Sequence, residues 1–231
     1  MNQSDAKEIV ASVKDAYNKV ATPFVASRAR DWDEFEIITP YINSTITLLD
    51  AGCAHGRLVP TLLKHNLKKE NYTGIDISEN LIDKAKELFP DIRFDVGDVC
   101  NLPYQDSMFD VTISSAVLHH IPSQELRVQM IQELVRVTKP GGKIILLVWN
   151  AFHFPHLWKS ITISYIKALF TFGKYERGDM YLPFFGKDTK RYVHAFTEKS
   201  LRKLFVYILD LKNTAIEIKN TGKNFFISIT K

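Results

Sequence analysis

Cysteine is scarce in this 231-residue chain, which contains only Cys53 and Cys100. Two cysteines are too few for a disulfide framework or a zinc site, and their scarcity is typical of a reducing compartment. Long apolar runs are absent too, since no stretch approaches the roughly 20 residues that cross a bilayer. The first residues, MNQSDAKEIV, lack the basic and apolar regions of a secretory signal. We therefore expect a cytoplasmic protein with no membrane partner.

Neither sign of charge is in strong excess, because 30 Lys and Arg residues face 26 Asp and Glu residues. The basic residues nevertheless cluster in three places, namely Lys64, Lys68 and Lys69; Lys187, Lys190 and Arg191; and Lys199, Arg202 and Lys203. Solvated helix faces and surfaces that bind a polyanion both produce such clusters. Both interpretations stay open from this pattern alone.

The N-terminal segment has the periodicity of an amphipathic helix. In residues 5–20, one apolar face of the helix is formed by Ile9, Val13, Ala16, Tyr17 and Val20. Pro23 is predicted to end this helix, and a second short helix is predicted over 28–38, before Pro40.

Short β-rich runs alternate with amphipathic segments through the middle of the chain. Strands are predicted over 45–50, 72–76, 92–98 and 109–117 and within 139–149. The intervening helices are predicted over 56–65, from Ser78 to Pro90, and over 123–138. This alternation predicts a doubly wound α/β sheet.

The alternation stops at residue 150. An aromatic-rich insertion follows over 150–196, with a helix near 156–170, and then a helix over 197–207. Two β runs joined by Thr221-Gly222-Lys223 predict a C-terminal antiparallel hairpin. We therefore expect one domain, 1–231, whose mostly parallel sheet has seven strands. Its parts are a helical segment (1–44), a core (45–149), the insertion (150–196) and a C-terminal helix and hairpin (197–231).

Three consecutive predicted strands each end in an aspartate. Asp50 precedes the turn containing Gly52 and Gly56, Asp76 ends the next strand, and Asp98 ends the third. Glycine permits a sharp turn and removes the Cβ that would block a ligand. Ligands bind at the carboxyl edge of open α/β sheets, where a carboxylate can accept the hydroxyls of a ribose.

The turn is poorly suited to a pyrophosphate. Ala54 stands between its glycines, and Asp50 places a negative charge beside it. A helix N-terminus that binds phosphate avoids such an anion. An acidic neighbour instead suits a cationic ligand without phosphate, and S-adenosylmethionine fits that description.

Four segments resemble the successive motifs of class I S-adenosylmethionine-dependent methyltransferases. They are LLDAGCAHGR, YTGIDIS, VGDVCNLPYQDSMFDVTISSAVLHHI and LVRVTKPGGKIILLVW. The resemblance implies a Rossmann-like methyltransferase fold with S-adenosylmethionine as cofactor. The implied cofactor residues are Asp50, Gly52, Cys53, Ala54 and Gly56 in the turn, Asp76 and Ile77 at the ribose, Asp98 and Val99 at the adenine, and Ser114 and Ser115 beneath the cofactor. Ala54 stands where the family usually has glycine.

The flanking segments resemble one branch, the tRNA wobble-uridine carboxymethyl methyltransferases. They are AYNKVATPFVASRARDW, LHH, GDMYLPF and RYVHAF. The resemblance implies an enzyme that methylates the carboxylate of 5-carboxymethyluridine, with the tRNA anticodon loop as partner. Relatives often work with a small zinc-containing activator subunit. Val193 stands where that branch commonly has a second tyrosine.

The candidate catalytic residues follow from this chemistry. They are Arg28, His119, His120, Asp179, Arg191, Tyr192 and His194. Guanidinium groups bind carboxylate and phosphate with fixed geometry, so Arg28 and Arg191 are candidates to locate the substrate. Asp179 is a candidate to orient Arg28 or a histidine. Tyr192 and Trp32 are candidates to stack on a base.

Each of these side chains also has a structural interpretation. The histidines can pack or cap a helix, the aromatic residues can belong to the core, and Asp179 can lie in a surface turn. Two other functions stay open as well. One is a methyltransferase for a small hydrophobic acid or quinone-like acceptor, and the other is a non-catalytic methyltransferase fold that scaffolds another subunit.

Overall fold

The computed structural model describes residues 1–28, 33–171, 173–186, 188–208 and 215–231. The strands in these ranges are β1 (Leu48–Ala51), β2 (Tyr72–Asp76), β3 (Arg93–Val96), β4 (Phe109–Ser115), β5 (Thr138–Trp149), β6 (Asp179–Pro183), β7 (Lys190–His194), β8 (Ala215–Asn220) and β9 (Asn224–Thr230). The helices are α1 (Gln3–Ala26), α2 (Val59–Lys64), α3 (Glu79–Leu88), α4 (Gln124–Val137), α5 (Trp158–Phe170) and α6 (Glu198–Ile208). No helix in these ranges is both long and apolar enough to cross a membrane.

The main sheet has seven strands in the order β3-β2-β1-β4-β5-β9-β8. The first five in this order are parallel, whereas β9 runs antiparallel to both β5 and β8. The predicted mostly parallel sheet with an antiparallel C-terminal hairpin is therefore confirmed. The strand order reverses between β1 and β4, and such a reversal opens a crevice at the carboxyl edge.

Two apolar layers cover the faces of this sheet. On β5, Ile144 and Leu146 belong to one layer, while Ile145 and Leu147 belong to the other. Successive side chains of a strand point to opposite faces, so a strand buried on both faces needs an uninterrupted apolar run. This requirement explains the sequence KIILLVW. The two packed layers hold the carboxyl ends of the strands in one rigid row.

The first helix is longer than predicted. Asn2 caps its start by accepting a hydrogen bond from the Asp5 backbone N–H (2.8 Å), and Ile9 and Val13 are buried as expected. The predicted stop at Pro23 is wrong, because its carbonyl accepts a helical hydrogen bond from the Ser27 N–H at 3.1 Å. A proline within a helix loses only its own N–H bond when its ring can be accommodated. The helix therefore continues toward Arg28.

The next segments are shorter than predicted. Of the predicted helix over 28–38, residues 33–37 form a 3₁₀ turn, and residues 29–32 lie outside the described ranges. The helix predicted over 56–65 is confined to Val59–Lys64 because the residues before it remain in the turn.

The insertion contains a second sheet that the sequence patterns did not predict. Its helix, α5, was expected, but β6 and β7 pair antiparallel beside it. Met180 and Val193 of this hairpin pack with Ile161 of α5 in a separate apolar cluster. The hairpin also packs against α1, so two elements distant in sequence face the carboxyl edge of the main sheet together.

Candidate active site

A cavity of about 340 Å³ lies between the carboxyl edge of the main sheet and the wall formed by α1 and β7. This volume is within the range of small-molecule sites. Most of the predicted site residues line it, namely Arg28, Asp50, Gly52, Cys53, Ala54, Asp76, Ile77, Asp98, Val99, Ser115, His119, His120 and Arg191. The topology thus brings most of the predicted cofactor residues and most of the predicted substrate residues to one place.

The turn after β1 requires glycine at one position. Gly52 has a φ of +86°, and a Cβ there would lie 2.1 Å from Cγ2 of Val117. Ala54 also adopts a left-handed conformation, with a φ of +52°, which costs an L-residue about 1–2 kcal/mol. The backbone N–H groups of Gly52 and Cys53 both donate to the Ile75 carbonyl (2.7 and 3.0 Å), and these bonds attach the turn to β2.

Gly56 has a role different from the predicted one. It does not line the cavity, and a Cβ there would lie 3.0 Å from Phe94 and 3.2 Å from Phe89. With a φ of +76°, Gly56 lets the chain turn against these aromatic rings. The predicted cofactor contact of Gly56 is therefore corrected to a packing role.

Asp50 presents one free carboxylate oxygen beside the cavity. Its Oδ2 accepts a hydrogen bond from the Tyr72 hydroxyl (2.8 Å), whereas Oδ1 has no partner among the described residues. Burial raises the pKa of Asp50 to about 7, although the Tyr72 hydrogen bond acts in the opposite direction. A buried carboxylate is stabilised by a cation, so this oxygen fits an ammonium group.

Asp76 joins the glycine turn to the start of α3. Its Oδ2 accepts the Ala54 N–H and its Oδ1 accepts the Ser78 N–H, each at 2.9 Å. Each oxygen keeps further acceptor capacity, so the carboxylate can still bind a diol. Asp98 is held in the same way by the Cys100 N–H at 2.8 Å.

The two adjacent serines of β4 differ. Ser115 lines the cavity, and its Oγ has no partner among the described residues. Ser114 instead donates to the Ala51 carbonyl at 2.8 Å and does not line the cavity. The predicted contact of Ser114 with the cofactor is therefore corrected, because alternation along the strand presents Ser115 to the cavity.

A chain of hydrogen bonds fixes the proton positions on His120. Nδ1 lies 2.7 Å from the Tyr192 carbonyl, which can only accept, so Nδ1 carries the proton. Nε2 accordingly accepts a hydrogen bond from the Tyr17 hydroxyl (2.9 Å). The Tyr17 oxygen in turn accepts a hydrogen bond from Nη1 of Arg191 (3.1 Å). Burial and the charge of Arg191 lower the pKa of His120 to about 3, so this imidazole is neutral.

His119 is also neutral. Its Nδ1 accepts the Trp149 backbone N–H at 3.4 Å, which leaves the proton on Nε2. Burial lowers the pKa of His119 well below its usual range, and the nearby His120 and Arg191 act in the same direction. Both histidines therefore take part in hydrogen bonds within the site without adding charge.

Two arginines give the opposite wall a positive charge. Within the described ranges, no carboxylate lies within ion-pair distance of Arg28 or Arg191. Arg28 lies over the Phe24 ring at 5.4 Å, and Arg191 lies over the Phe184 ring at 4.3 Å. The cavity is thus acidic at the ends of β1 and β2 and cationic where α1 and β7 meet.

Three predicted catalytic residues lie behind this wall. The Tyr192 hydroxyl donates to Asp179 (2.6 Å) and accepts from Arg127 (3.0 Å), and His194 Nδ1 lies 2.7 Å from the same Asp179 oxygen. None of the three lines the cavity. The predicted stacking of Tyr192 on a base is therefore wrong, since strand alternation directs Arg191 and Tyr192 to opposite faces of β7. Asp179 contacts His194 and not Arg28.

Several cavity residues were not singled out as site residues from the sequence. Tyr17 was predicted on an apolar helix face and within a segment that resembles the tRNA branch, but not as a site residue, and Phe24, Trp149 and Asn224 were not singled out. Two signals were available, because Tyr17 and Phe24 belong to the quoted segment AYNKVATPFVASRARDW and Asn224 is a polar residue directly before the run FFISI. Trp32 and Lys187, which were included in the predictions, lie outside the described residues.

Comparisons with known proteins place the chain in a family. A model of the methyltransferase domain matches residues 49–146. A protein named as a methyltransferase in Encephalitozoon cuniculi is 31% identical over 193 residues, which are 81% of each chain. The chain belongs to the S-adenosylmethionine-dependent methyltransferases. A crystal structure of one from Methanosarcina mazei shares the fold, with a TM-score of 0.67 at 24% identity over 84% of this chain and 96% of that one.

A second relative, from Arabidopsis thaliana, matches this chain over a smaller part of its own length. It is named tRNA (carboxymethyluridine(34)-5-O)-methyltransferase and is 36% identical over 146 residues. The match covers 60% of this chain but only 33% of the relative. Within this methyltransferase, the unpaired Asp50 oxygen and the Ser115 hydroxyl fit the cationic and polar parts of S-adenosylmethionine.

Cofactor affinity is expected to increase with pH between about 5.5 and 7. Below its raised pKa the Asp50 carboxyl is neutral, and an ammonium group needs the ionised form. The dissociation constant should therefore fall by up to about tenfold per pH unit. Titration calorimetry with S-adenosylmethionine measures this change, and the same affinity at both pH values would contradict it.

The Asp50→Asn variant provides the matching test. It should bind S-adenosylmethionine more weakly at pH 7 and without this pH dependence. Asp91→Asn, which changes an exposed carboxylate paired with Lys69, should leave both unchanged. The fold should survive in Asp50→Asn. The pKa of Asp50 is higher in the folded than in the unfolded protein, so ionisation of Asp50 destabilises the cofactor-free fold as pH rises from about 4 to 7. The neutral asparagine does not carry this cost.

Proposed function

We propose that this methyltransferase transfers a methyl group to a carboxylate, that of 5-carboxymethyluridine at the wobble position of tRNA. The observation that carries the proposal is the pair of arginines, Arg28 and Arg191, which face the cofactor side of one cavity without an acidic partner. A substrate carboxylate would supply that partner, and guanidinium binds it through two parallel hydrogen bonds.

The neutral histidines fit a carboxylate acceptor. A carboxylate is ionised at pH 7, so no side chain needs to remove a proton from it. His119 and His120 have pKa values far below 7 and are poorly matched to the work of a general base. When bound, S-adenosylmethionine supplies an electrophilic methyl group. The residues of the cavity then have to align the acceptor oxygen and exclude water.

The tRNA part of the proposal is supported by the name of the Arabidopsis relative and by the segments around the cavity. The basic clusters give it less support than expected. Lys69 pairs with Asp91 (3.1 Å) and Arg202 pairs with Glu198 (2.7 Å), as on a solvated surface, while Arg191 belongs to the cavity. The sequence also predicts a small zinc-containing activator subunit as partner and a cytoplasmic location, and both remain predictions.

The product of the proposed reaction is a methyl ester, which gives a direct chemical test. Purified protein is incubated with labelled S-adenosylmethionine and a synthetic anticodon stem-loop that contains 5-carboxymethyluridine. We expect label to enter this RNA and to be released by mild alkali, because esters hydrolyse under those conditions. Mass spectrometry of the nucleosides should detect the methyl ester of 5-carboxymethyluridine.

A stem-loop with unmodified uridine is the control and should remain unlabelled. Alkali-stable label would mean that the acceptor is an amine, a hydroxyl or a ring carbon, and would contradict the proposal. Labelling of a lipid extract in place of the RNA would favour the hydrophobic or quinone-like acceptor.

Replacing either cavity arginine with lysine should impair the reaction. Arg28→Lys and Arg191→Lys keep the charge but lose the planar, two-pronged geometry. Since a hydrogen bond to a charged group contributes about 1.5–3 kcal/mol, we expect kcat/KM for the stem-loop to fall roughly ten- to a hundredfold. Affinity for S-adenosylmethionine should stay unchanged in calorimetry.

Arg202→Lys, at an exposed arginine paired with Glu198, serves as the matched control and should retain full activity. Wild-type kinetics in both cavity variants would refute the assignment of the arginines. A parallel loss of cofactor affinity would assign them to the cofactor instead of the substrate.

A further inference from the structure

Asn224 is a buried amide whose hydrogen-bonding groups are unused. It is only 1% exposed and lines the cavity, and neither its Oδ1 nor its Nδ2 has a partner among the described residues. Leaving a buried donor or acceptor unpaired costs about 1–3 kcal/mol, so nearly all such groups in folded proteins are satisfied. The position of Asn224 therefore indicates a partner that the chain itself does not supply.

The sheet register places Asn224 in the row of site residues. β9 runs antiparallel to β5, and Asn224 is aligned with Trp149, so the first residue of β9 lies where the parallel strands end. It lies two strands away from β4, roughly 10 Å across the sheet, and two residues further along than the position opposite Ser115. Asn224 lies on the side of β4 away from Asp76, and thus beyond the predicted cofactor residues.

The turn before β9 does not need the Asn224 side chain. The backbone N–H and the hydroxyl of Thr221 both donate to the Asn224 carbonyl (2.8 and 2.9 Å), and Asn150 Nδ2 donates to the Gly222 carbonyl (2.8 Å). The turn is therefore closed by the backbone and by other side chains. A central strand holds the amide of Asn224 in a fixed position, as recognition of a ligand requires.

We propose that Asn224 recognises the substrate base through an imide edge, an N–H group next to a carbonyl, such as a uracil ring presents. This inference rests on the proposed function. The asparagine amide has a donor and an acceptor side by side, which match the C2 carbonyl and the N3–H of uracil. A substituent at C5 leaves the ring opposite C2, so pairing with Asn224 directs the carboxylate arm away from β9, into the cavity that Arg28 and Arg191 also line. Trp149 lines the cavity next to Asn224 and provides an aromatic wall for the unstacked base.

The test combines a protein variant with a modified substrate. Asn224→Leu is chosen because replacing an unpaired buried amide with an apolar side chain of similar size is neutral or stabilising. The substrates are two anticodon stem-loops, one with 5-carboxymethyluridine and one with its N3-methyl derivative, which lacks the N3–H. Methyl ester formation is measured for both proteins with both RNAs.

With the wild-type protein, we expect N3-methylation to reduce kcat/KM at least a hundredfold, because a site built to pair with an N–H group strongly rejects an analogue without it. Asn224→Leu should be at least tenfold less active on the unmodified base and should show little further loss on the N3-methyl base. Its thermal midpoint should equal or exceed that of the wild type, and its affinity for S-adenosylmethionine should be unchanged. Asn71→Ala is the control and should keep wild-type activity, because Asn71 lies outside the cavity and its amide donates to the Ser44 carbonyl (3.2 Å).

The outcomes separate this inference from the proposed function. If the wild-type protein forms the ester and Asn224→Leu retains both its activity and its discrimination against the N3-methyl base, Asn224 does not recognise the base and only this inference fails. If the wild-type protein forms no ester on either RNA, the proposed function fails and this inference fails with it.

Discussion

A polar atom buried without a hydrogen-bond partner costs a fold about 1–3 kcal/mol, and this protein concentrates such atoms around one cavity. Asp50, Ser115, Arg191 and Asn224 each have one or more, and they lie on β1, β4, β7 and β9. The described part of the chain leaves all four incomplete. The two apolar layers of the main sheet maintain the positions of Asp50, Ser115 and Asn224, while Arg191 is positioned by the β6–β7 hairpin, which packs against α1 and α5. The stability of these packed layers therefore supports a site whose partners are ligands.

Charge is distributed unevenly across this site. The acidic side consists of Asp50, Asp76 and Asp98, while Arg28 and Arg191 provide the cationic side. The neutral histidines lie after β4, between the two. This arrangement lets one cavity offer carboxylates to the cationic groups of a cofactor and guanidinium groups to an anionic acceptor.

The acidic side was predictable from the sequence, whereas much of the rest was not. Parallel strands end at one edge, so an aspartate at the end of each strand locates the cofactor side without any knowledge of packing. The β6–β7 hairpin has no such local rule, because its alternation is obscured by aromatic residues and it is stabilised by contacts with α1 and α5. Tyr192 was misplaced for this reason, since strand alternation became usable only once the strand was known.

The most direct test of the account is a crystal structure of the protein with S-adenosylhomocysteine and 5-carboxymethyluridine. The account predicts that the uridine carboxylate contacts both Arg28 and Arg191, with one of its oxygens facing the sulfur atom. The amino group of S-adenosylhomocysteine should lie next to Asp50. A carboxylate bound away from both arginines, or with no oxygen directed at the sulfur, would contradict the account.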